Sequence, residues 1–171
     1  MFIGHLPAGY LIGTTLVEKL GVAKDSVNRF LGWCMVGALA PDIDLLYFYL
    51  FDQRQHHHHT YFTHYPIVWA GLLAIAFVWF RLTPKKSTAV LAVAFCLNGF
   101  VHLLLDSIVG DVWWLMPFID RPFSLFHIEG RYHPWWLNFI LNWSFVLELL
   151  LVTAAVWRWR KRSAALRFEE T

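Results

Sequence analysis

Charge is what this sequence has least of: Asp, Glu, Lys and Arg make up 15% of its 171 residues, against about 25% in an ordinary soluble domain. A water-facing surface needs polar groups, so the deficit argues against a conventional soluble enzyme. Cysteine is also scarce. Cys34 and Cys96 both lie inside apolar stretches, which offers no disulfide framework and reads as helix packing. No basic residue precedes Lys19, so the start lacks the positive n-region of a signal peptide and is expected to be retained. No Gly-x-Ser-x-Gly elbow and no reactive cysteine context is present, which disfavours a covalent serine or thiol route. The net charge of +2 is too small to point to a nucleic-acid partner.

What is abundant is apolar. Hydrophobic residues are 58% of the chain and aromatics 18%, with ten Trp and fifteen Phe, more than one soluble core of this size accommodates. Disorder is excluded by the same composition, and the length predicts one domain. The expectation is an all-α, integral membrane helical bundle of about five helices. It forms a single membrane-embedded domain over 1–171, with a basic cytoplasmic tail from about 158 to 171. Residues 87–105 carry no Asp, Glu, Lys or Arg, and neither do 66–80; each reads as a span. A third covers roughly 135–157, interrupted by Glu148. Two shorter segments, about 5–20 and 29–40, precede these, the second ending at Pro41.

On an up-down path, Lys19, Lys24, Arg29, Arg81, Lys85, Lys86, Arg158, Arg160, Lys161, Arg162 and Arg167 share one side. The positive-inside rule makes that side the cytoplasm. The opposite side holds Asp42, Asp44, Asp52, Asp106, Asp111, Asp120 and Glu129, and all nine histidines. Trp113, Trp114, Trp135 and Trp136 suit an aromatic belt there, and Trp157 and Trp159 suit the inner one. The expected location is the cytoplasmic (inner) membrane, with a cytoplasmic C-terminus.

At the outer helix ends, four segments bring His or Asp to one depth: His5, Pro41-Asp42-Ile43-Asp44, His59-Thr60-Tyr61-Phe62-Thr63-His64, and His102-Leu103-Leu104-Leu105-Asp106. A charge inside a bilayer costs at least about 2.5–3.5 kcal/mol, so carboxylates this close to apolar sequence need compensation. A divalent cation supplies it, and the mixture of imidazole and carboxylate suits zinc first, with manganese or iron also admissible. His102 and Asp106 are four apart and share a helix face. Asn98, one turn earlier, is placed to orient His102, and Thr63 to cap the following helix. Asp42, Asp44, His59, His64, His102 and Asp106 are the metal-ligand candidates. Asp44 is a bridging ligand or general base, and His5 a further ligand or acid.

Each feature also has a bland reading. A His-x-x-x-Asp pair can be a satisfied helix end, and Pro-Asp-x-Asp a cap with a solvated neighbour. His56, His57 and His58 read as solvated loop residues. Glu148, inside a span, is either functional or hydrogen-bonded to Asn142 or Asn98. His133, in His133-Pro134, is a weak extra ligand candidate.

The order of these motifs, with Leu115-Met116-Pro117-Phe118 after them, resembles the membrane-bound metal-dependent hydrolases of the DUF457 type, the LexA-regulated inner-membrane hydrolase group. The resemblance covers about residues 1–125. That family's second motif normally carries Arg-Gly before the Phe and Ser after the His, where this chain has Thr60-Tyr61 and Tyr65. Arg54 and Arg121 are the candidates to replace the missing Arg. His/Asp clustering is shared more distantly with zinc-dependent phospholipase C enzymes. The resemblance implies a hydrolase in which metal-activated water attacks a phosphoester or acyl bond of a lipid or lipid-linked substrate, with membrane lipids as partners. Two alternatives stay open: a non-enzymatic metal-binding or metal-transport protein, and a scaffold. Transport is disfavoured because the inner half offers only Glu148 near mid-membrane.

Overall fold

A computed structural model describes residues 3–134 and 136–169, with the side chains of 166–169 outside the description. Trp135 and the Arg167 side chain therefore lie outside the described residues. Seven α-helices occur in it: α1 His5–Leu20, α2 Val27–Leu39, α3 Asp44–Leu50, α4 Pro66–Leu82, α5 Lys86–Asp106, α6 Leu137–Ile140 and α7 Ser144–Glu169. Among the described residues the only β pairing is an isolated bridge between Val112 and Phe123, so the all-α expectation holds.

Local chemistry sets the boundaries. Gly21 ends α1 in the left-handed region (φ 60°), its N–H donating to the Val17 carbonyl, a conformation that glycine adopts without a Cβ penalty. Pro41 has no N–H to continue the α2 ladder; a 3-10 turn, Pro41–Ile43, takes over and the chain bends by 58° into α3. Proline also opens α4, at Pro66, where its missing N–H has no partner to lose.

The helices pack in a row. α5 lies between α4 and α2, α1 packs on α2 and α5, and α7 packs on α1. Two glycines allow the closest approaches. A Cβ at Gly37 would meet the Phe95 carbonyl oxygen at 2.3 Å, and one at Gly99 would meet the Trp69 ring at 2.0 Å, so α2 and α4 both press on α5 through positions that exclude a side chain. Phe30, Cys34, Leu91 and Ala94 form the buried centre between α2 and α5. Both cysteines are free and buried, as their apolar surroundings implied. On α4 the large apolar residues Ile67, Leu72, Ile75, Phe77, Val78, Trp79 and Leu82 are exposed, a continuous face of the kind that marks a membrane or protein contact.

Among the described residues, fewer helices pass as spans by length and composition alone than the sequence suggested. α5 is long and apolar enough to cross a membrane; α2 with its preceding turn and the bent 41–50 segment pass together as a broken span; α4 is apolar but 17 residues long. The segment expected to run helically from about 135 to 157 is interrupted: α6 ends at Ile140 and α7 starts at Ser144. Asn142 explains the break. Its side-chain oxygen accepts from the Ser144 N–H at 3.0 Å, the local side-chain-to-backbone bond that competes with helix continuation. α7 then continues beyond 157 through the basic segment to Glu169. The short helix α3 had no sequence expectation behind it.

The alternation of helix directions brings the start of α1, the end of α2, the start of α4 and the end of α5 to one end of the bundle. Arg158 on α7 reaches Glu18 on α1 at 2.7 Å at the other end.

Candidate metal centre

Asp106, 2% exposed at the last position of α5, is the hub. Its Oδ2 lies 2.9 Å from His102 Nε2, 3.6 Å from His59 Nε2 and 3.8 Å from His64 Nε2, and its Oδ1 lies 3.0 Å from His5 Nε2. The four-residue spacing on α5 aligns His102 with Asp106, as expected. Asp42, in the turn after α2, places Oδ1 3.5 Å from His102 Nε2 and 3.6 Å from His64 Nε2. His5, on the first turn of α1, stacks on the His102 ring with 3.7 Å between centroids. His5, His59, His64 and His102 are all buried, whereas the Asp42 side chain is 27% exposed.

What lies behind each imidazole decides its chemistry. His102 Nδ1 is 2.7 Å from the Ala38 carbonyl, one of the carbonyls that the end of α2 leaves without an intrahelical partner. His59 Nδ1 is 2.7 Å from the Asp111 carbonyl. A carbonyl only accepts, so both rings must carry their proton on Nδ1 and, when neutral, present a bare Nε2 lone pair. His64 Nδ1 is 2.5 Å from Asp44 Oδ2, and its ring is fixed in the same sense. Three Nε2 atoms thus converge on carboxylate oxygens that are also lone-pair donors. His64 Nε2 and His102 Nε2 are buried with no hydrogen-bond partner of acceptable geometry. Lone pairs facing lone pairs in a dry site repel unless a positive charge sits among them, either protons on the rings or a cation. The residues present therefore fit a divalent ion. Ligand atoms within 4.8 Å of one another form the sets His64–His102–Asp106, His5–Asp42–His102, Asp42–Asp44–His64 and His58–His59–His64.

Titration behaviour in the loop between α3 and α4 follows burial. Burial pulls His59 well below the usual imidazole range, and His58 down to about 4. Burial would lower His64 too, but its contacts with the Asp42 and Asp44 carboxylates outweigh that and raise it.

All seven sequence candidates, His5, Asp42, Asp44, His59, His64, His102 and Asp106, meet at this one end. Several supporting roles differ from expectation. Asp44 meets His64 on its Nδ1 side, opposite the Nε2 that Asp42 faces, and shares a set of possible ligand atoms with both. Its Oδ2 also accepts from the Thr63 hydroxyl at 2.6 Å. Thr63 accordingly serves Asp44 and does not cap α4, whose flanking residue Tyr65 makes no side-chain cap. Asn98 donates to the Ala94 carbonyl at 2.7 Å within its own helix, so the Ala38 carbonyl orients His102. Glu148 is 1% exposed and bonds to neither Asn142 nor Asn98 in the described set. Its Oε2 accepts from the Ile3 N–H and, at 2.9 Å, from the Gly4 N–H, fixing the start of α1 just before His5.

Sequence reasoning missed three contributors. His58 is half-buried, its ring 4.2 Å from His59 and 5.3 Å from His64 between centroids; a 3-10 turn over His58–Thr60 folds it inward. The backbone carbonyls of Ala38 and Asp111 carry no side-chain signal at all. His56 fits the solvated reading, exposed and 2.7 Å from Asp52, and His57 is exposed as well. Arg54 lies over the Tyr49 ring and Arg121 is exposed, so neither is placed at the cluster.

A family model described as "YdjM inner membrane protein" matches residues 1–167. That match carries a membrane-protein family and an inner-membrane location, and not the DUF457 hydrolase grouping that the motifs resemble. No curated protein and no solved structure matches the chain.

Proposed function

The chain belongs to the YdjM inner membrane protein family, and on that premise we propose that it is a membrane-bound, metal-dependent hydrolase acting on a phosphoester or acyl bond of a lipid or lipid-linked substrate. The observation that carries the reading is the inward convergence of the His59, His64 and His102 Nε2 atoms on Asp106 and Asp42, with each Nδ1 committed to an acceptor behind it. That is how protein metal centres orient imidazoles.

His59, His64, His102, Asp106 and Asp42 would hold the ion, zinc being the first choice for this donor set. A divalent cation supplies Lewis acidity there and acidifies water. The rest is done by the chain. Asp44 and Thr63 lock the His64 ring, the Ala38 carbonyl locks His102, and His5 holds Asp106 Oδ1 while covering the His102 face. Asp42 is the most open carboxylate of the group, so water and substrate approach from its side. Asp44, buried and engaged twice, acts through His64 as a positioning residue. His5 remains the candidate acid. The same reading has several segments crossing the membrane as a bundle, the basic C-terminus in the cytoplasm and the cluster on the outer side. A cytoplasmically active C-terminal reporter is expected, and activity only outside the cell would contradict the topology.

Elemental mass spectrometry of detergent-purified protein without a histidine tag, with His56 and His57 replaced in a parallel sample, tests the centre. One or more equivalents of zinc, manganese or iron is expected, lost in the Asp42→Ala/His102→Ala double variant. No metal above background in folded protein would overturn the proposal. Headgroup release from vesicle phospholipid by the loaded protein tests hydrolysis; metal without turnover on phosphoester or acyl substrates would leave a metal-binding protein.

A further inference from the structure

A second feature, which does not depend on the hydrolase reading, runs from Leu6 beside the start of α1 toward the end of the bundle opposite the His/Asp cluster. α7 packs on α1 but not closely on α2, leaving a furrow between α2 and α7 with α1 as its floor. Its upper part, about 470 Å³, is apolar, lined by Leu6, Tyr10, Leu31, Met35, Val156 and Trp159. Along α2 it extends from Asn28 to Met35, about 10 Å of helix. A chamber of about 590 Å³, lined by Glu18, Trp157, Arg158, Lys161 and Arg162 among others, lies at the basic end. Arg162 borders both spaces.

Among the described residues, the charge in that chamber is balanced only in part. Arg158 pairs with Glu18 at 2.7 Å. Arg162 reaches only the amide oxygen of Asn28, also at 2.7 Å, and Lys161 Nζ lies over the Trp157 ring, 4.1 Å from its centroid. Among the described residues no carboxylate pairs with Lys161 or Arg162. Basic pockets between membrane helices are where anionic headgroups bind, and Trp at this depth marks the interface. A soluble anion would explain the cations but not the apolar furrow that shares Arg162 with their chamber. We propose that the furrow between α2 and α7 holds the acyl chain of one anionic phospholipid from the leaflet on the basic side, with its phosphate at Lys161 and Arg162.

Gly32 supplies a clean test. It lines the furrow, and a Cβ there meets nothing within 4 Å, so the side chain of Gly32→Leu starts from open space and occupies the furrow. The full-length protein, solubilised in detergent and stripped of lipid, is titrated with phosphatidylglycerol or phosphatidylcholine and read by native mass spectrometry. One phosphatidylglycerol per chain is expected, bound at least tenfold more tightly than phosphatidylcholine. Lys161→Gln and Arg162→Gln should each weaken it about fivefold and leave phosphatidylcholine unchanged. Gly32→Leu should weaken phosphatidylglycerol tenfold or more at unchanged helical circular dichroism and metal content. Equal binding of the two lipids, or undiminished phosphatidylglycerol binding in Gly32→Leu, would overturn the proposal, and neither result bears on the metal centre.

Discussion

Replacing Asp106 by Asn separates the two ways in which the cluster can be held together. The change is isosteric and keeps the shape of a buried position, but it removes the charge that His5, His59, His64 and His102 all face. If a bound cation stabilises the cluster, the stabilisation is a linkage quantity. At a free metal concentration a thousand times the dissociation constant it is about 4 kcal/mol. For a chain of this size that corresponds to a fall of roughly 8–16 °C in Tm when the metal is stripped. The parent should then be strongly sensitive to a chelator. Asp106→Asn, having lost its central ligand, should start near the stripped parent's Tm and respond to the chelator by less than a quarter as much. If protonated imidazoles stabilise the cluster instead, the chelator changes neither protein. Asp106→Asn then loses about 3–5 kcal/mol because buried imidazolium is left without its counter-charge. Thermal unfolding followed by far-UV circular dichroism, with and without chelator, on both proteins is the assay. A parent whose Tm does not move with chelator, in a preparation shown to exchange its metal, would refute the cation reasoning.

Other expectations concern the parts that hold the cluster in place. Glu148→Leu leaves the Ile3 and Gly4 N–H groups without their buried acceptor, at about 1–3 kcal/mol each, and should lower both stability and metal affinity by unseating His5; Glu148→Gln, which keeps an acceptor, should lose less than half as much by chemical denaturation. Gly37→Ala drives a methyl against the Phe95 carbonyl and should cost about 1–3 kcal/mol in the same assay, with metal stoichiometry intact in the folded fraction. Thr63→Val removes the hydroxyl that donates to Asp44 and should weaken metal binding by about 10–100-fold in competition with a chromogenic chelator, with Tm of the stripped protein nearly unchanged; equal affinity would show that Asp44 orients His64 without help.

The residues of the cluster were legible because their chemistry is expensive where the sequence puts them. Asp42, Asp44 and Asp106 lie against apolar runs, and that cost is visible without coordinates. The His102/Asp106 spacing was legible for a second reason: both lie on one helix, where sequence distance fixes direction. Direction was lost wherever the chain leaves regular helix. Asp42 and Asp44 take opposite nitrogens of the His64 ring from a proline-started 3-10 turn and the helix start after it, and nothing in Pro-Asp-x-Asp says which carboxylate takes which. His58 was read as solvent-facing because composition treats His56–His59 as one run, whereas the 3-10 turn divides it, sending His56 and His57 outward and His58 and His59 inward.

The final helix shows the same limit in the fold. Hydropathy alone joined 135–157 into one span, but hydropathy does not register the side-chain oxygen of Asn142 competing for the Ser144 N–H, and the break delays α7 by most of three turns. That delay has a consequence for the site. Starting at Ser144, α7 brings Glu148 level with the first residues of α1, where its carboxylate can take the two amides that precede His5. A helix continuous from 135 would not need to stop there. The buried carboxylate and the break are thus two halves of one arrangement: an acidic side chain in an apolar helix is tolerated because the helix begins at the depth where backbone N–H groups are waiting for an acceptor. The same contact sets the position of His5 over His102, which is why a residue far from the cluster in sequence is expected to tune what the cluster binds.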